Sequence, residues 1–271
     1  IDAITDNFIN SEKLRRHIRF MYAKGSMYLK FNNNLLFHAC VLLNEDGSFK
    51  KKRIGNKYYS GKELMDKYDE MAREAYFSQK DVDFLWFLWC NEDSTLFGKD
   101  KMTTFERYFI DDKATHKENL SPYYKLMGED DCALAIKILE EFGLDAKDSH
   151  IINGHTPVKL SKGESPIRAG GKQLVIDGGF SKPYQKTTGI AGYTLTYNSY
   201  GLTLISHKPF ESVEKVINEG FDIKSTKQVI ETLIDRKRVA DTDTGSSIKE
   251  KIHNLEMLIL AYSKGIVKQK D

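Results

Sequence analysis

The pentapeptide Asn153-Gly154-His155-Thr156-Pro157 directly follows the apolar run His150-Ile151-Ile152. A histidine just after a strand, on a turn that glycine permits, can point its imidazole into a site at a sheet edge. Imidazole is a good ligand for manganese, iron or zinc. Asp177 stands 22 residues later, where Val175-Ile176 runs into Asp177-Gly178-Gly179. Gly-His-Thr-Pro alone also fits an ordinary turn with a surface histidine. A second strand end of the same kind favours the site.

Leu35-Leu36-Phe37-His38-Ala39-Cys40 sets a second histidine inside an apolar run. Such a residue is either a ligand or a hydrogen-bonded core histidine. His38 and Cys40 would share a strand face, but no further Cys or His is close, which disfavours a zinc site. Lys99, Lys101 and Arg107, with Thr103 and Thr104, surround the start of a short helix. Cations at a helix N-terminus suit a phosphate; a solvated loop fits the same residues. Asp241 and Asp243 follow Arg236-Lys237-Arg238, without the length and terminal glutamate of a calcium loop. A helix connector is the simpler reading there. There is no Walker loop and no Gly-x-Ser-x-Gly, and spacing alone assembles no serine or cysteine triad.

The elements that must position these residues are of mixed type. Helical spacing predicts helices at 12–24, 61–77 and about 81–89, the last apolar on all sides and so buried. Shorter helices are expected from Thr103-Thr104 to Phe109, and from Asp130 or Asp131 to Gly143. Strands are expected at 35–43, with His38 in its middle, and at 150–152 and 174–176. Residues 193–197 and 202–206 flank Asn198-Ser199-Tyr200-Gly201, a hairpin signal. Helices are expected at about 211–219, 225–236 and 247–263. Ser225 with Gln228, and Ser247 with Glu250, have capping-box spacing. The fold class is thus α/β (α+β), with one domain over 1–210 and a helical tail over 211–271.

The chain has 271 residues, 40% hydrophobic and 11% aromatic, with a formal net charge of +2. That length buries a sizeable core. Cations are mixed with acids along the chain, which argues against a nucleic-acid surface. No run approaches the roughly 18 apolar residues of a membrane span. Three widely spaced cysteines, Cys40, Cys90 and Cys132, imply neither a disulfide framework nor a CxxC metal site. A reducing, cytoplasmic setting is expected. The sequence opens at Ile1 and reads like the middle of a protein, so it is expected to be a piece of a longer polypeptide.

Long stretches of this sequence resemble the class III fructose-1,6-bisphosphatases, and the resemblance covers nearly its whole length. They are residues 24–28 (Lys-Gly-Ser-Met-Tyr), 42–49, 96–110, 151–158, 174–185, 188–202 and 236–242. Ala39 departs from the glycine that the family usually has after the histidine. The resemblance implies part of a calcineurin-like metallophosphatase domain, a β-sandwich flanked by helices. It also implies a Mn²⁺-dependent enzyme that removes the 1-phosphate of fructose 1,6-bisphosphate in gluconeogenesis. In the superfamily a strand-borne histidine and a Gly-His histidine bind one metal of a pair. The matching positions here are His38 and His155. Pro157 stands where other members carry the second histidine of Gly-His-x-His, as in phosphoprotein phosphatases and dinucleoside tetraphosphatases.

The superfamily's Asp-x-His, Gly-Asp-x-x-Asp-x-Gly and Gly-Asn-His-Glu motifs do not occur in this sequence. The resemblance places them N-terminal to it, with the other metal, the bridging carboxylate and the histidine general acid. No catalytic acid is therefore expected in this chain. Lys99, Lys101 and Arg107 are expected to hold the sugar bisphosphate, because the metals need hold only one of its phosphates. Asn153 and Asp177 are expected to orient the histidines rather than touch metal. Alternatives are another calcineurin-like phosphatase, acting on protein or dinucleoside polyphosphate, and a non-catalytic oligomerisation or regulatory module. The apolar stripe Ile248, Ile252, Leu255, Ile259, Tyr262 leaves homo-oligomerisation open.

Overall fold

Leu14, Ile18 and Tyr22 recur at helical spacing, and the segment folds accordingly. In a computed structural model describing residues 1–128, 130–222 and 224–268, the chain opens with α1 (Asp2–Ile9) and α2 (Glu12–Lys24). Ser11 caps α2 by accepting from the Leu14 amide, and Gly25 ends it. β1 (Tyr28–Phe31) and β2 (Asn34–Phe37) then form a hairpin. Its two turn residues, Asn32 and Asn33, have φ of 49° and 63°. Positive φ at both positions gives a hairpin turn whose twist matches the strands, and asparagine tolerates it.

A second hairpin, β3 (Lys52–Ile54) with β4 (Lys57–Tyr59), leads into α3 (Gly61–Ser78) and α4 (Asp83–Cys90). Next come α5 (Thr104–Phe109), α6 (Pro122–Leu126) and α7 (Ala133–Glu141). β5 (His150–Asn153), β6 (Ile167–Arg168) and β7 (Gln173–Val175) complete a five-stranded sheet of order β1-β2-β5-β7-β6. β2, β5 and β7 are parallel; β1 and β6 are antiparallel at the two edges. The core is made by Leu35 and Ile151 of the sheet, Leu64, Met65, Tyr68 and Ala72 of α3, and Ala135, Ile138 and Leu139 of α7. Burying each large aliphatic side chain contributes about 1.5–3 kcal/mol.

These elements belong to one compact unit, Ile1–Gly179; a second unit is Phe180–Asp271. The second unit holds α8 (Lys182–Thr188), β8 (Gly192–Asn198), β9 (Gly201–His207), α9 (Val213–Glu219), β10 (Ser225–Thr232) and α10 (Asp243–Ser263). Its sheet has the order β10-β9-β8, all antiparallel. The β8–β9 hairpin turns at Ser199-Tyr200, as its sequence implies.

Four local expectations are corrected. Residues 225–236 are not a helix, because β10 pairs along β9 from Ser225↔His207 to Thr232↔Gly201. The Ser225/Gln228 spacing fits a cap, but Thr226, Val229, Ile230 and Thr232 suit a pleated ladder. Residues 211–271 are therefore not a purely helical tail. Ser247 lies inside α10, whose cap is Thr242, accepting from the Gly245 amide. α4 is not buried all round: Leu88 is its buried residue, while Trp86 and Trp89 are 60% and 68% exposed. The strand expected over 35–43 stops at Phe37. The carbonyls that would continue it are claimed by side chains and by the β5 turn.

Leu139 is fully buried between α3 and the sheet. Leu139→Ala should cost about 2–5 kcal/mol in denaturant unfolding. Phe20→Ala, at a residue 66% exposed, should stay within about 0.5 kcal/mol of wild type.

Candidate metal centre

β2, β5 and β7 lie side by side and parallel, so their carboxyl ends share one edge of the sheet. Functional groups in open parallel sheets gather there because successive loops leave the strands at that edge. His38 is the first residue past β2, and His155 and Asp177 are each two residues past β5 and β7. His38 Nε2 and His155 Nδ1 are 3.0 Å apart, with ring centroids 4.8 Å apart. The sheet thus joins two of the sequence-derived candidates across 117 residues of chain.

The backbone around the pair is pinned from several sides. The His38 carbonyl accepts from the Gly154 amide at 2.9 Å. The Ala39 carbonyl accepts from Asn153 Nδ2 at 2.9 Å and from Tyr124 Oη at 3.0 Å. These bonds replace a strand ladder, which is why His38 leaves the sheet. The turn that carries His155 is tight: Thr156 N donates to the Gly154 carbonyl at 2.8 Å, and His155 has φ of 68°. Positive φ is costly for a residue with a Cβ, and such strain persists where surroundings over-determine it.

Asp177 Oδ1 accepts from the Gly179 amide at 3.0 Å, and its carbonyl accepts from Val158. Its side chain therefore caps the turn after β7, while its charge acts on both histidines. Asn153 bonds Ala39 rather than a histidine ring. Cys40 is fully buried, with its thiol pushed up to about 12 by burial, so no thiolate is available there at neutral pH.

Burial lowers the pKa of both histidines. For His38 the negative charge of Asp177 opposes it. For His155 the His38 charge and Lys99 add to burial, against the Phe97 carbonyl and Asp177. Neutral imidazoles with free lone pairs are what metal ligation requires. The 3.0 Å separation is that of a hydrogen bond between the two rings, and it sets two imidazole nitrogens close enough together that one ion could take both in place of the shared proton. The pair fits one metal, as a partial set: among the described residues no group of three or more His, Cys, Asp or Glu could hold one.

Two of the three cations expected to hold a phosphate, Lys99 and Arg107, stand against the carboxylate of Glu118. Glu118 Oε2 accepts from Lys99 Nζ at 2.8 Å, and Oε1 from Thr103 N at 3.1 Å and Thr103 Oγ1 at 2.6 Å. Arg107 stands 3.4 Å from Oε1 and donates to Thr103 Oγ1. Lys101 Nζ donates to the Thr115 carbonyl at 3.1 Å. Glu118 was not singled out from the sequence; nothing local links it to Thr103, 15 residues earlier. Gln173, Tyr123 and Tyr124 were missed for the same reason, although a glutamine opening the apolar run Leu174-Val175-Ile176 is a weak signal.

Burial works to raise the Glu118 pKa, but the hydrogen bonds from Lys99 and Thr103 outweigh it and hold it at about 2. The folded value is below the unfolded one, so the stabilisation is present above about pH 4.5 and lost as pH falls toward about 2. Glu118→Gln should cost about 1–3 kcal/mol at pH 7. It should also flatten the pH dependence of urea unfolding in that window.

A family model described as Firmicute fructose-1,6-bisphosphatase matches residues 1–264. A class 3 fructose-1,6-bisphosphatase of Clostridium botulinum (strain Langeland) is 57% identical over 278 residues, which is 100% of this chain and 41% of the relative. One from Clostridium beijerinckii is 56% identical over 277 residues, again 100% of this chain and 42% of the relative. The chain spans about two fifths of the length of these relatives. No solved structure matches. With a match running from the first helix to the end of α10, and with the histidine pair seated at the carboxyl edge of its sheet, this chain belongs to the Firmicute fructose-1,6-bisphosphatase family.

Proposed function

We propose that this chain supplies part of the active site of a Mn²⁺-dependent, cytoplasmic fructose-1,6-bisphosphatase, which hydrolyses fructose 1,6-bisphosphate to fructose 6-phosphate and phosphate. The observation that carries the proposal is the 3.0 Å approach of His38 Nε2 to His155 Nδ1, in a chain of this family. His38 and His155 hold one metal through these nitrogens, and the remaining ligands and the general acid come from outside this chain. Bound metal supplies Lewis acidity toward the phosphoryl oxygens and a nucleophile from water at neutral pH.

The chain's own residues prepare the edge for that chemistry. Burial keeps both imidazoles neutral. Asn153 fixes the His38 loop, and Asp177 fixes the turn after β7. Lys99, Lys101 and Arg107 attract the second phosphate. Lys99 has the best support, since its charge is felt by His155. Its ammonium is shared with Glu118, so its role is to set local positive potential rather than to clamp.

Self-association through α10 is part of the proposal. Ile248, Ile252, Leu255, Ile259 and Tyr262 alternate at four- and three-residue steps and are all exposed. That repeat is a coiled-coil seam, with isoleucine and leucine at its centre. Lys251 and Glu256, five residues apart, match the flanking positions that pair oppositely charged residues between two parallel copies.

Phosphate release from fructose 1,6-bisphosphate with Mn²⁺ should be seen in the full-length protein and not in this chain alone. Activity in this chain alone would end the shared-site reading. His155→Ala in the full-length protein should weaken Mn²⁺ binding more than about 100-fold, beyond the usual effect of a residue that only orients a ligand. Asp177→Asn should cost about 10–100-fold in metal affinity or activity; unchanged metal content would reduce Asp177 to a turn cap. Light scattering should show a smaller species once residues 246–271 are removed. An unchanged mass would exclude α10 as the contact.

A further inference from the structure

Behind the histidine pair lies a buried amide relay with one consistent orientation. The Ala39 carbonyl can only accept, so Asn153 must present Nδ2 to it, at 2.9 Å. Asn153 Oδ1 then faces β7, where Gln173 Nε2 donates to it at 2.9 Å. The second Nε2 proton of Gln173 goes to Tyr123 Oη at 3.0 Å. The Ala39 carbonyl fixes the Asn153 amide, and Asn153 Oδ1 in turn fixes the Gln173 amide, whose Oε1 is buried without a partner. The residues are sealed from solvent: Asn153, Gln173 and Tyr123 are 2%, 1% and 0% exposed. No water competes for these bonds, so an unmet acceptor here carries its full desolvation penalty.

The sheet register makes the relay possible. Ile151 pairs with Gln173 and Asn153 with Val175, so Asn153 and Gln173 are diagonal neighbours on one face. Tyr123 of α6 covers the same face through its bond to Gln173. At the far end, Ala39 follows His38 directly, and the Gly154 amide that holds the His38 carbonyl follows Asn153 and precedes His155. Any turn of the Asn153 amide therefore acts on the backbone of both histidines.

We propose that Gln173 is a positioning residue whose donor locks the Asn153 amide toward the Ala39 carbonyl and so sets the spacing of the His38 and His155 nitrogens. This rests on the reading that the two histidines hold metal. Without the Gln173 donor, Asn153 Oδ1 is a buried acceptor with no partner, and the Asn153 side chain loses one of its two anchors. Its hold on the Ala39 carbonyl loosens, and with it the backbone of residues 38–39 at the end of β5. A residue of equal volume keeps the packing and loses this control.

The test is Mn²⁺ titration by calorimetry on the full-length protein as wild type, Gln173→Met and His155→Ala, at a temperature where each is folded by circular dichroism. Gln173→Met should weaken Mn²⁺ at least tenfold, with the KM for fructose 1,6-bisphosphate unchanged at saturating Mn²⁺. In the metal-free protein its Gly154 amide should exchange faster with solvent. If Gln173→Met does not fold, Gln173→Asn serves, because its amide is one methylene too short to bridge Asn153 and Tyr123; the same loss is expected. Affinity within twofold of wild type for the folded Gln173 variant, beside a large loss in His155→Ala, would overturn the positioning role and leave the metal reading intact. Wild-type affinity in His155→Ala would overturn the metal reading, and this inference with it.

Discussion

Parallel pairing of β2, β5 and β7 brings to one edge residues that lie far apart in sequence. Parallel strands require long crossovers, and the one between β2 and β5 contains most of the helices of the first unit. Those helices form the core that holds the strands in register. A one-residue slip of β5 against β2 would reverse the faces of its side chains. It would also carry Asn153 away from Ala39. The site is thus a product of sheet register, and core packing defends that register.

Two buried or half-buried charge problems are solved in opposite ways within this unit. At the histidine pair, desolvation wins: both imidazoles are pushed toward the neutral form, and the nearby Asp177 charge does not reverse it. At Glu118, desolvation loses, because Lys99 and two Thr103 donors converge on the carboxylate. The difference lies in donor supply. A carboxylate with several short hydrogen bonds tolerates burial. An imidazole whose nearest polar neighbour is another imidazole does not gain enough to hold a proton. The result is one lone-pair-rich position and one strongly anionic position, with Lys99 acting on both.

The sequence disclosed local features well and long-range ones poorly. α2, α3 and the β8–β9 hairpin follow from periodicity and turn residues that act within a few positions. Gly154-His155 was legible because a turn after an apolar run has a local signature. His38 stood out in the sequence as a candidate, but its place beyond the strand did not, since the bonds that stop β2 come from Gly154, Asn153 and Tyr124. β10 was misread because its capping spacing is local while its ladder with β9 is not. Trp86 and Trp89 were expected inside, yet hydrophobicity alone does not say which side of a helix faces the core.

The relay from Tyr123 to Ala39 shows why second-rank residues escape pattern reading. Its links span 50, 20 and 114 residues, and none of its members is unusual by type. Each becomes informative only when burial removes water as an alternative partner. In a sheltered network one donor decides the orientation of the next amide, and an error propagates instead of being absorbed by solvent. The two histidine rings lie within hydrogen-bond distance, 3.0 Å apart, and the relay anchored in β7 and α6 ends on the backbone that carries both, at Ala39 and at Asn153.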